Sequence, residues 1–123
     1  MAELTALVDT SVLVGGLPAR EPLDQGWVIS SISVGELEAG VLLASGPDVR
    51  AARLRRLASI IAEAPVVDVD RSVSARYGEL RAASGRGPTN DLWIAATALA
   101  HDLALVTGDR RQAALPLVRS VLV

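Results

Sequence analysis

The sequence contains no cysteine, no phenylalanine and no lysine. Without cysteine the chain can form neither a disulfide nor a thiolate metal site, and a reducing compartment suits it. Its only aromatic residues are Trp27, Tyr77 and Trp93. With so few aromatic rings, base stacking is excluded as the main means of holding a nucleic acid.

The missing lysine excludes several kinds of phosphate chemistry. Aspartyl phosphatases and the receiver domains of signalling relays are doubly wound proteins with an aspartate at a strand end, and both use a lysine to hold the phosphoryl group. A P-loop also requires a lysine at the end of its glycine-rich run. All 12 basic residues are arginine. Arginine suits bidentate contact with phosphate or carboxylate, but genomic base composition is the favoured explanation.

Length and hydropathy predict one domain spanning residues 1–123, because half of the chain is apolar and can form a core. No apolar run approaches the roughly 20 residues that cross a bilayer, and no signal-peptide pattern opens the sequence. We therefore expect a soluble, cytoplasmic protein without membrane contacts. The formal net charge of −2 argues against non-specific binding of polyanions.

Short strand-like segments alternate with helical patterns along the chain. The helical patterns include one that begins at Ser33, one that Asp70 caps and one that begins at Asp91. Strands joined in this way by helices predict an α/β fold, a three-layer α/β/α domain around a central, mainly parallel sheet. The predicted strands are 4–8, 27–30, 65–69, 103–107 and 117–123.

Four acidic residues stand where a predicted strand ends or a predicted helix begins. Parallel α/β sheets gather these points along one edge, so we expect the carboxylates to converge. Oxygen ligands without a His or Cys cluster suit Mg²⁺ or Mn²⁺, and several acids would hold one ion partly through waters, or two ions. This arrangement is typical of a metal-dependent phosphodiesterase. The residues are Asp9, Glu36, Asp91 and Asp109.

Each acid also has a purely structural interpretation. Asp9 and Asp109 would cap the helices that follow them, and an acid in the first turn, such as Asp91, complements the helix dipole. Glu36 stands three residues after Ser33, which is the spacing of a capping box. Four such placements at one end of one sheet favour a shared site. In such a site the carboxylates repel one another, so at least one holds a proton unless a cation binds.

The segments that carry these acids resemble the PIN domain, in particular the VapC ribonuclease toxins of bacterial type II toxin–antitoxin modules. The resemblance covers essentially the whole chain. It implies a Mg²⁺- or Mn²⁺-dependent endoribonuclease that cleaves RNA phosphodiesters with a metal-activated water, is inhibited by a cognate antitoxin and forms a homodimer. The segments, in the family's order, are Leu7–Val14, Ser33–Val41, Asn90–Ala98 and Leu105–Asp109.

By this resemblance the four acids are the catalytic residues and the metal ligands. Thr10 or Ser11 matches the small hydroxyl residue that forms hydrogen bonds within the site, and Thr107 matches the threonine before the last acid. Two departures bear on substrate and partner contacts. The loop at 15–27 is short, and Arg-Arg-Gln-Ala-Ala at 110–114 replaces a segment that often contains phenylalanine in the family.

Several arginines stand where they would contact RNA phosphate or an antitoxin. Arg110 and Arg111 follow the last acid, and Arg86 precedes Asp91 in a glycine-rich loop. A solvated surface charge is the favoured alternative for each. A further stripe at helical spacing is typical of a solvated helix face, with RNA or antitoxin contact as the alternative. The stripe consists of Arg50, Arg53 and Arg56.

Two other functions fit the same sequence. One is a catalytically idle PIN-fold module that binds another protein, with its acids unused. The other is a PIN nuclease of RNA maturation. The compact chain, with no appended RNA-binding domain, favours the toxin. Metal-dependent stabilisation that is lost on Asp9→Asn would separate an active site from an idle one.

Overall fold

The computed structural model describes residues 5–15, 26–85 and 87–123. Within them, strands alternate with helices along the chain. The strands are β1 (Ala6–Val8), β2 (Trp27–Ser30), β3 (Val66–Val67), β4 (Ala104–Thr107) and β5 (Ser120–Leu122). The helices are α1 (Thr10–Gly15), α2 (Ser31–Leu42), α3 (Pro47–Glu63), α4 (Arg71–Ser84), α5 (Thr89–Ala100) and α6 (Arg110–Ala113).

The strands form one parallel sheet in the order β3-β2-β1-β4-β5, which confirms the predicted sheet. β1 is central: Leu7 pairs with Val28 of β2 on one side and with Leu105 of β4 on the other. The chain proceeds outward from β1 to β3 and then crosses to the far side of β1 to form β4. Because the strand order reverses between β1 and β4, their carboxyl ends border the crevice in which such sheets bind ligands.

Helices cover both faces of the sheet, as the three-layer prediction required. Successive strand residues point to opposite faces, and the two faces have separate cores. Val8 and Ile29 pack with buried residues of α1, α2 and α3. Leu7 and Val28 pack with buried residues of α4 and α5. This burial on both faces explains why β1 is a continuous apolar run rather than an alternating one.

Helix α2 begins earlier than the sequence predicted. Ser30, the last residue of β2, accepts a hydrogen bond from the N–H of Ile32 at 3.0 Å and is the N-cap. Ser33 is therefore already inside the helix, so the prediction that the helix begins at Ser33 was wrong, and the alternative capping-box interpretation of Glu36 does not apply. The hydroxyl of Ser30, at the strand end, already accepts from the free N–H of Ile32 in the first turn, so the helix begins before Ser33.

Two other helix starts were also predicted from the sequence. Asp70 caps α4 as predicted, and its hydrogen bond from the N–H of Val73 lowers the pKa of Asp70. Helix α5 begins at Thr89, two residues before the predicted start, with Pro88 as its N-cap. The carboxylate of Asp91 thus lies within the first turn rather than at its beginning.

The outer strands are shorter than predicted, and Leu4 of the first predicted strand lies outside the described residues. Leu117 has a φ of 70°, which is not an extended conformation, so the last strand begins only at Ser120. None of the helices in the described ranges is both long enough and apolar enough to cross a membrane.

Candidate functional site

The sheet topology carries the four acids to the crevice at the carboxyl ends of β1 and β4. Asp9 directly follows β1, and Asp109 stands two residues after β4. Glu36 comes from α2, the helix that leaves β2, and Asp91 comes from the first turn of α5. Residues far apart in sequence thus lie at one edge of the sheet, where Asp9, Glu36 and Asp109 are near enough to act electrostatically on Asp91.

Asp9 is 3% exposed, and its two carboxylate oxygens have different surroundings. Oδ2 accepts hydrogen bonds from the N–H of Ser11 at 3.1 Å and from its hydroxyl at 2.6 Å. Oδ1 is buried and has no hydrogen-bond partner. Buried polar atoms in native proteins nearly always have a partner, so this unpartnered carboxylate oxygen calls for an ion or an ordered water.

The carboxylate of Glu36 is held by the helix that follows β1. The hydroxyl of Thr10 donates to Glu36 Oε1 at 2.6 Å, and Ser33 Oγ lies 2.8 Å from Thr10 Oγ1. Because Thr10 has a single hydroxyl proton, Ser33 is the donor in the second bond. Asn90 Nδ2 donates to the other oxygen of Glu36 at 3.4 Å. Side chains from α1 and α5 therefore fix both oxygens of Glu36.

The other three acids act electrostatically on Asp91. Burial and the negative charges of Asp9, Asp109 and Glu36 together raise the pKa of Asp91 to about 6. This is the mutual repulsion expected of clustered carboxylates. Even so, no three Asp, Glu or His side chains of the described ranges stand close enough to ligate one ion directly. An ion held by these residues would use one or two carboxylates and complete its shell with water.

The end of β4 forms hydrogen bonds with the segments that carry Asp9 and Asp109. The N–H of Asp109 donates to Thr107 Oγ1 at 3.0 Å, and the N–H of Gly108 donates to Ser11 Oγ at 2.9 Å. Asp109 also caps α6, because its Oδ1 accepts from the N–H of Arg111 at 2.8 Å. The capping interpretation of Asp109 and its place among the acids are therefore compatible.

Sequence reasoning gave no role to Gln112, which is 1% exposed beside the acids. Its Oε1 accepts a hydrogen bond from the hydroxyl of Thr107 at 2.8 Å. Its Nε2 donates to the backbone carbonyl of Asp91 at 3.3 Å. The one available signal was its place in the segment after the last acid, where the PIN resemblance departs from its usual pattern.

The arginines singled out near the acids differ in their placement. Arg110 and Arg111 are exposed at the start of α6. Arg111 also lines a cleft of about 250 Å³ together with Asp91, Leu92 and Gln112. Arg86 lies outside the described residues, and so does most of the loop at 15–27.

The arginine stripe of α3 is exposed, as predicted, but its side chains bind the ends of other helices. Arg50 donates to the carbonyl of Leu42 at 3.3 Å, and Arg53 donates to that of Gly40 at 2.7 Å. Arg56 donates to a carbonyl at the end of α1 at 3.2 Å. These carbonyls lie in last helical turns, where a cation complements the helix dipole. The stripe therefore has a structural role at the ends of α1 and α2.

The donor atoms around the crevice fit a hard divalent cation. Each of the four acids offers carboxylate oxygens, which Mg²⁺ and Mn²⁺ prefer. The unpartnered Oδ1 of Asp9 and the raised pKa of Asp91 are both features that a bound cation would relieve.

Comparison with known proteins identifies the family. A family model described as the PIN domain matches residues 6–117. The chain is 41% identical to Ribonuclease VapC4 of Mycobacterium tuberculosis over 119 residues, which cover 90% of this chain and 91% of that protein. It is 36% identical to Ribonuclease VapC5 of the same organism, over 94% of this chain and 90% of the relative.

Solved structures share the fold. VapBC-5 of Mycobacterium tuberculosis, a member of the VapBC family of toxin–antitoxin systems, matches with a TM-score of 0.87 and 33% identity over 98% of this chain and 100% of that chain. VapBC2 of Rickettsia felis, bound to a promoter DNA fragment, matches in fold with a TM-score of 0.81 at 22% identity, over 97% and 98% of the two chains. The chain therefore belongs to the PIN domain family, among its VapC members.

Proposed function

We propose that this protein is a Mg²⁺- or Mn²⁺-dependent endoribonuclease and the toxin of a type II toxin–antitoxin system. Asp9, Glu36, Asp91 and Asp109 would be its metal-binding and catalytic residues. The observation that carries the proposal is the convergence of the four acids at the β1–β4 crevice, where Asp9 Oδ1 is buried without a partner. The names of the VapC relatives, which are ribonucleases, support RNA as the substrate.

The four acids would hold a divalent ion, which when bound supplies a water of lowered pKa and neutralises charge that develops on the phosphate. The protein's own contribution is orientation. Ser11 hydrogen-bonds one oxygen of Asp9 and leaves the other without a hydrogen-bond partner. Thr10 fixes Glu36, so its carboxylate is already in place before substrate arrives. Arg111, exposed in the cleft beside Asp91, would bind an RNA phosphate, as would Arg110.

The proposed partners are RNA, a cognate antitoxin and a second copy of the chain. Two of the structures with the same fold are VapBC proteins, and VapBC-5 belongs by name to a toxin–antitoxin family. We expect a small antitoxin encoded next to this protein to bind it and to block RNA cleavage. Light scattering of the purified chain, with and without that antitoxin, measures both assemblies.

RNA cleavage tests the proposal most broadly. Purified protein is incubated with total cellular RNA in Mg²⁺, in Mn²⁺ or in EDTA, and new 5′ ends are mapped by sequencing. Asp9→Asn replaces one carboxylate oxygen by an amide nitrogen and keeps the side chain's size. We expect discrete cuts that require both the divalent ion and Asp9.

Asp68→Asn is the matched control, because Asp68 also follows a strand but is exposed at the sheet edge. It should cut RNA like the wild type. Wild-type protein that binds Mn²⁺, is free of antitoxin and makes no cuts would overturn the nuclease and favour the idle binding module. Cuts that persist in Asp9→Asn would remove Asp9 from the site.

A further inference from the structure

Gln112 joins two parts of the site that carry different acids. Its buried side chain lies between Thr107, at the end of β4, and the backbone of Asp91, in the first turn of α5. Asp109 stands two residues after Thr107, and its N–H donates to the same hydroxyl. One amide side chain therefore connects the segment of Asp109 with that of Asp91.

The orientation of the amide follows from its partners. The carbonyl oxygen of Asp91 can only accept a hydrogen bond, so the group 3.3 Å from it must be the NH₂ of Gln112. The amide oxygen is then directed at Thr107, which must donate to it. An exchange of oxygen and nitrogen would bring two acceptors together at Asp91, which is unfavourable.

This orientation determines where the hydroxyl proton of Thr107 goes. The hydroxyl has one proton and three oxygens nearby: Gln112 Oε1 at 2.8 Å, Asp9 Oδ2 at 3.3 Å and Ser11 Oγ at 3.4 Å. The shortest bond takes the proton. Asp9 Oδ2 then receives hydrogen bonds only from Ser11, and the carboxylate of Asp9 keeps more of its charge for a cation.

We propose that Gln112 is a positioning residue for the nuclease site. Its hydrogen bonds hold the first turn of α5, which carries Asp91, against the end of β4. They also direct the hydroxyl proton of Thr107 to Gln112 instead of to Asp9. The inference rests on the proposed function, because it assigns Gln112 a role toward the same divalent ion. Residues that orient metal ligands through hydrogen bonds typically change metal affinity or activity 10- to 100-fold when replaced.

Two variants remove the bridge in different ways. Gln112→Met keeps a side chain of similar length but removes both hydrogen bonds. Gln112→Asn keeps the amide but is one methylene shorter, so it cannot reach both partners. The control is Thr97→Val, because Thr97 is also fully buried and donates one hydrogen bond, to the carbonyl of Trp93 at 2.8 Å. Thr97 lies six residues beyond Asp91 in α5, a rise of about 9 Å.

The first readout is Mn²⁺ affinity, measured by titration calorimetry on RNA-free protein. We expect Gln112→Met and Gln112→Asn to weaken Mn²⁺ binding about 10- to 100-fold and Thr97→Val to leave it unchanged. Affinities of both Gln112 variants within about twofold of the wild type would overturn the inference. If Gln112→Met does not fold, Gln112→Asn decides the outcome by the same criterion.

The second readout needs no metal. The N–H of Leu92 donates to the carbonyl of Pro88 at 3.2 Å in the first turn of α5. We expect its hydrogen exchange in EDTA to accelerate in the Gln112 variants relative to Thr97→Val, because the turn has lost its anchor. Unchanged exchange would overturn the anchoring role. Wild-type protein that binds Mn²⁺ but cuts no RNA would overturn the proposed function and leave both readouts on Gln112 valid.

Discussion

The hydroxyl of Thr10 lies 2.6 Å from Oε1 of Glu36 and joins the helix after β1 to the helix after β2. A hydroxyl that donates to a carboxylate at this distance forms one of the stronger hydrogen bonds in proteins. The bond fixes an acid that comes from α2 against the strand end that carries Asp9. Through this bond a small hydroxyl residue directly after Asp9 contacts an acid more than 20 residues away in sequence.

Thr10→Val should impair the site by releasing Glu36. We expect RNA cleavage to fall about 10-fold, because the proposed metal ligand Glu36 loses its orienting bond. The free energy of unfolding should fall by about 1 kcal/mol, since the half-buried Glu36 can bind water instead. Thr10→Ser keeps the hydroxyl and is the control. Cleavage by Thr10→Val at the rate of Thr10→Ser would contradict the role of this bond.

Ser11→Ala should loosen the contact between β1 and β4. Ser11 Oγ donates to Asp9 Oδ2 and accepts from the N–H of Gly108, so the variant loses both bonds. We expect the free energy of unfolding, measured in urea, to fall by about 1 to 3 kcal/mol. Ser31→Ala, at the half-buried start of α2, is the control and should change it by less than about 0.5 kcal/mol. Equal decreases in the free energy of unfolding for Ser11→Ala and Ser31→Ala would contradict the role of Ser11 in joining β1 to β4.

The contribution of Asp91 to the stability of the metal-free protein should fall as pH rises from about 4 to about 6. The pKa of Asp91 is about 6 in the folded state against 3.8 when unperturbed. The folded state therefore binds the proton more tightly, so it is favoured below pH 4 and loses that advantage as Asp91 ionises. A pKa unit corresponds to about 1.4 kcal/mol, and solvent screening of the partly buried Asp91 reduces the loss to about 1 to 2 kcal/mol.

Urea unfolding in EDTA at several pH values measures this loss. Asp91→Asn cannot ionise, so the stability difference between Asp91→Asn and the wild type should grow in favour of the variant between pH 4 and pH 6 and stay constant above. Other titrating groups cancel in this difference, and Asp68→Asn serves as the control for loss of a distant charge. Curves of unfolding free energy against pH that run parallel for wild type and Asp91→Asn would contradict the effect of the other three acids on Asp91.

Arg53→Gln should affect the fold rather than RNA cleavage. Arg53 donates to the carbonyl of Gly40 in the last turn of α2, and losing a cation there costs about 0.3 to 1 kcal/mol. Arg55, exposed on the same helix, donates no hydrogen bond to other described residues, so Arg55→Gln should cost less. Thermal unfolding and RNA cleavage are measured for both. A loss of cleavage specific to Arg53→Gln would instead assign the stripe to RNA.

The sheet, and the edge of it at which the four acids lie, could be predicted from sequence because their signals are local. β1 is buried on both faces and is therefore an unbroken apolar run that ends at Asp9. The alternation of strands and helices then requires parallel pairing, and parallel pairing brings the strand ends together. These steps need no knowledge of side-chain contacts.

The details of the site depend on contacts between distant residues, which have no local signal. Ser33 has capping-box spacing to Glu36, but its hydroxyl instead meets Thr10 from another helix. The role of Gln112 depends on α5 packing beside β4, so nothing in its own segment indicates burial. The α3 arginines looked like a solvated face because their acceptors are backbone carbonyls of other helices.

Mn²⁺ binding to RNA-free protein tests most directly whether the four acids form one site. Titration calorimetry is carried out on the wild type, on Asp9→Asn, Glu36→Gln, Asp91→Asn and Asp109→Asn, and on the control Glu38→Gln. Glu38 lies two residues beyond Glu36 in α2 but is exposed. A shared site predicts at least about 10-fold weaker binding in each of the four variants and unchanged binding in Glu38→Gln. Wild-type affinity in all four variants, or no Mn²⁺ binding by the wild type, would contradict it.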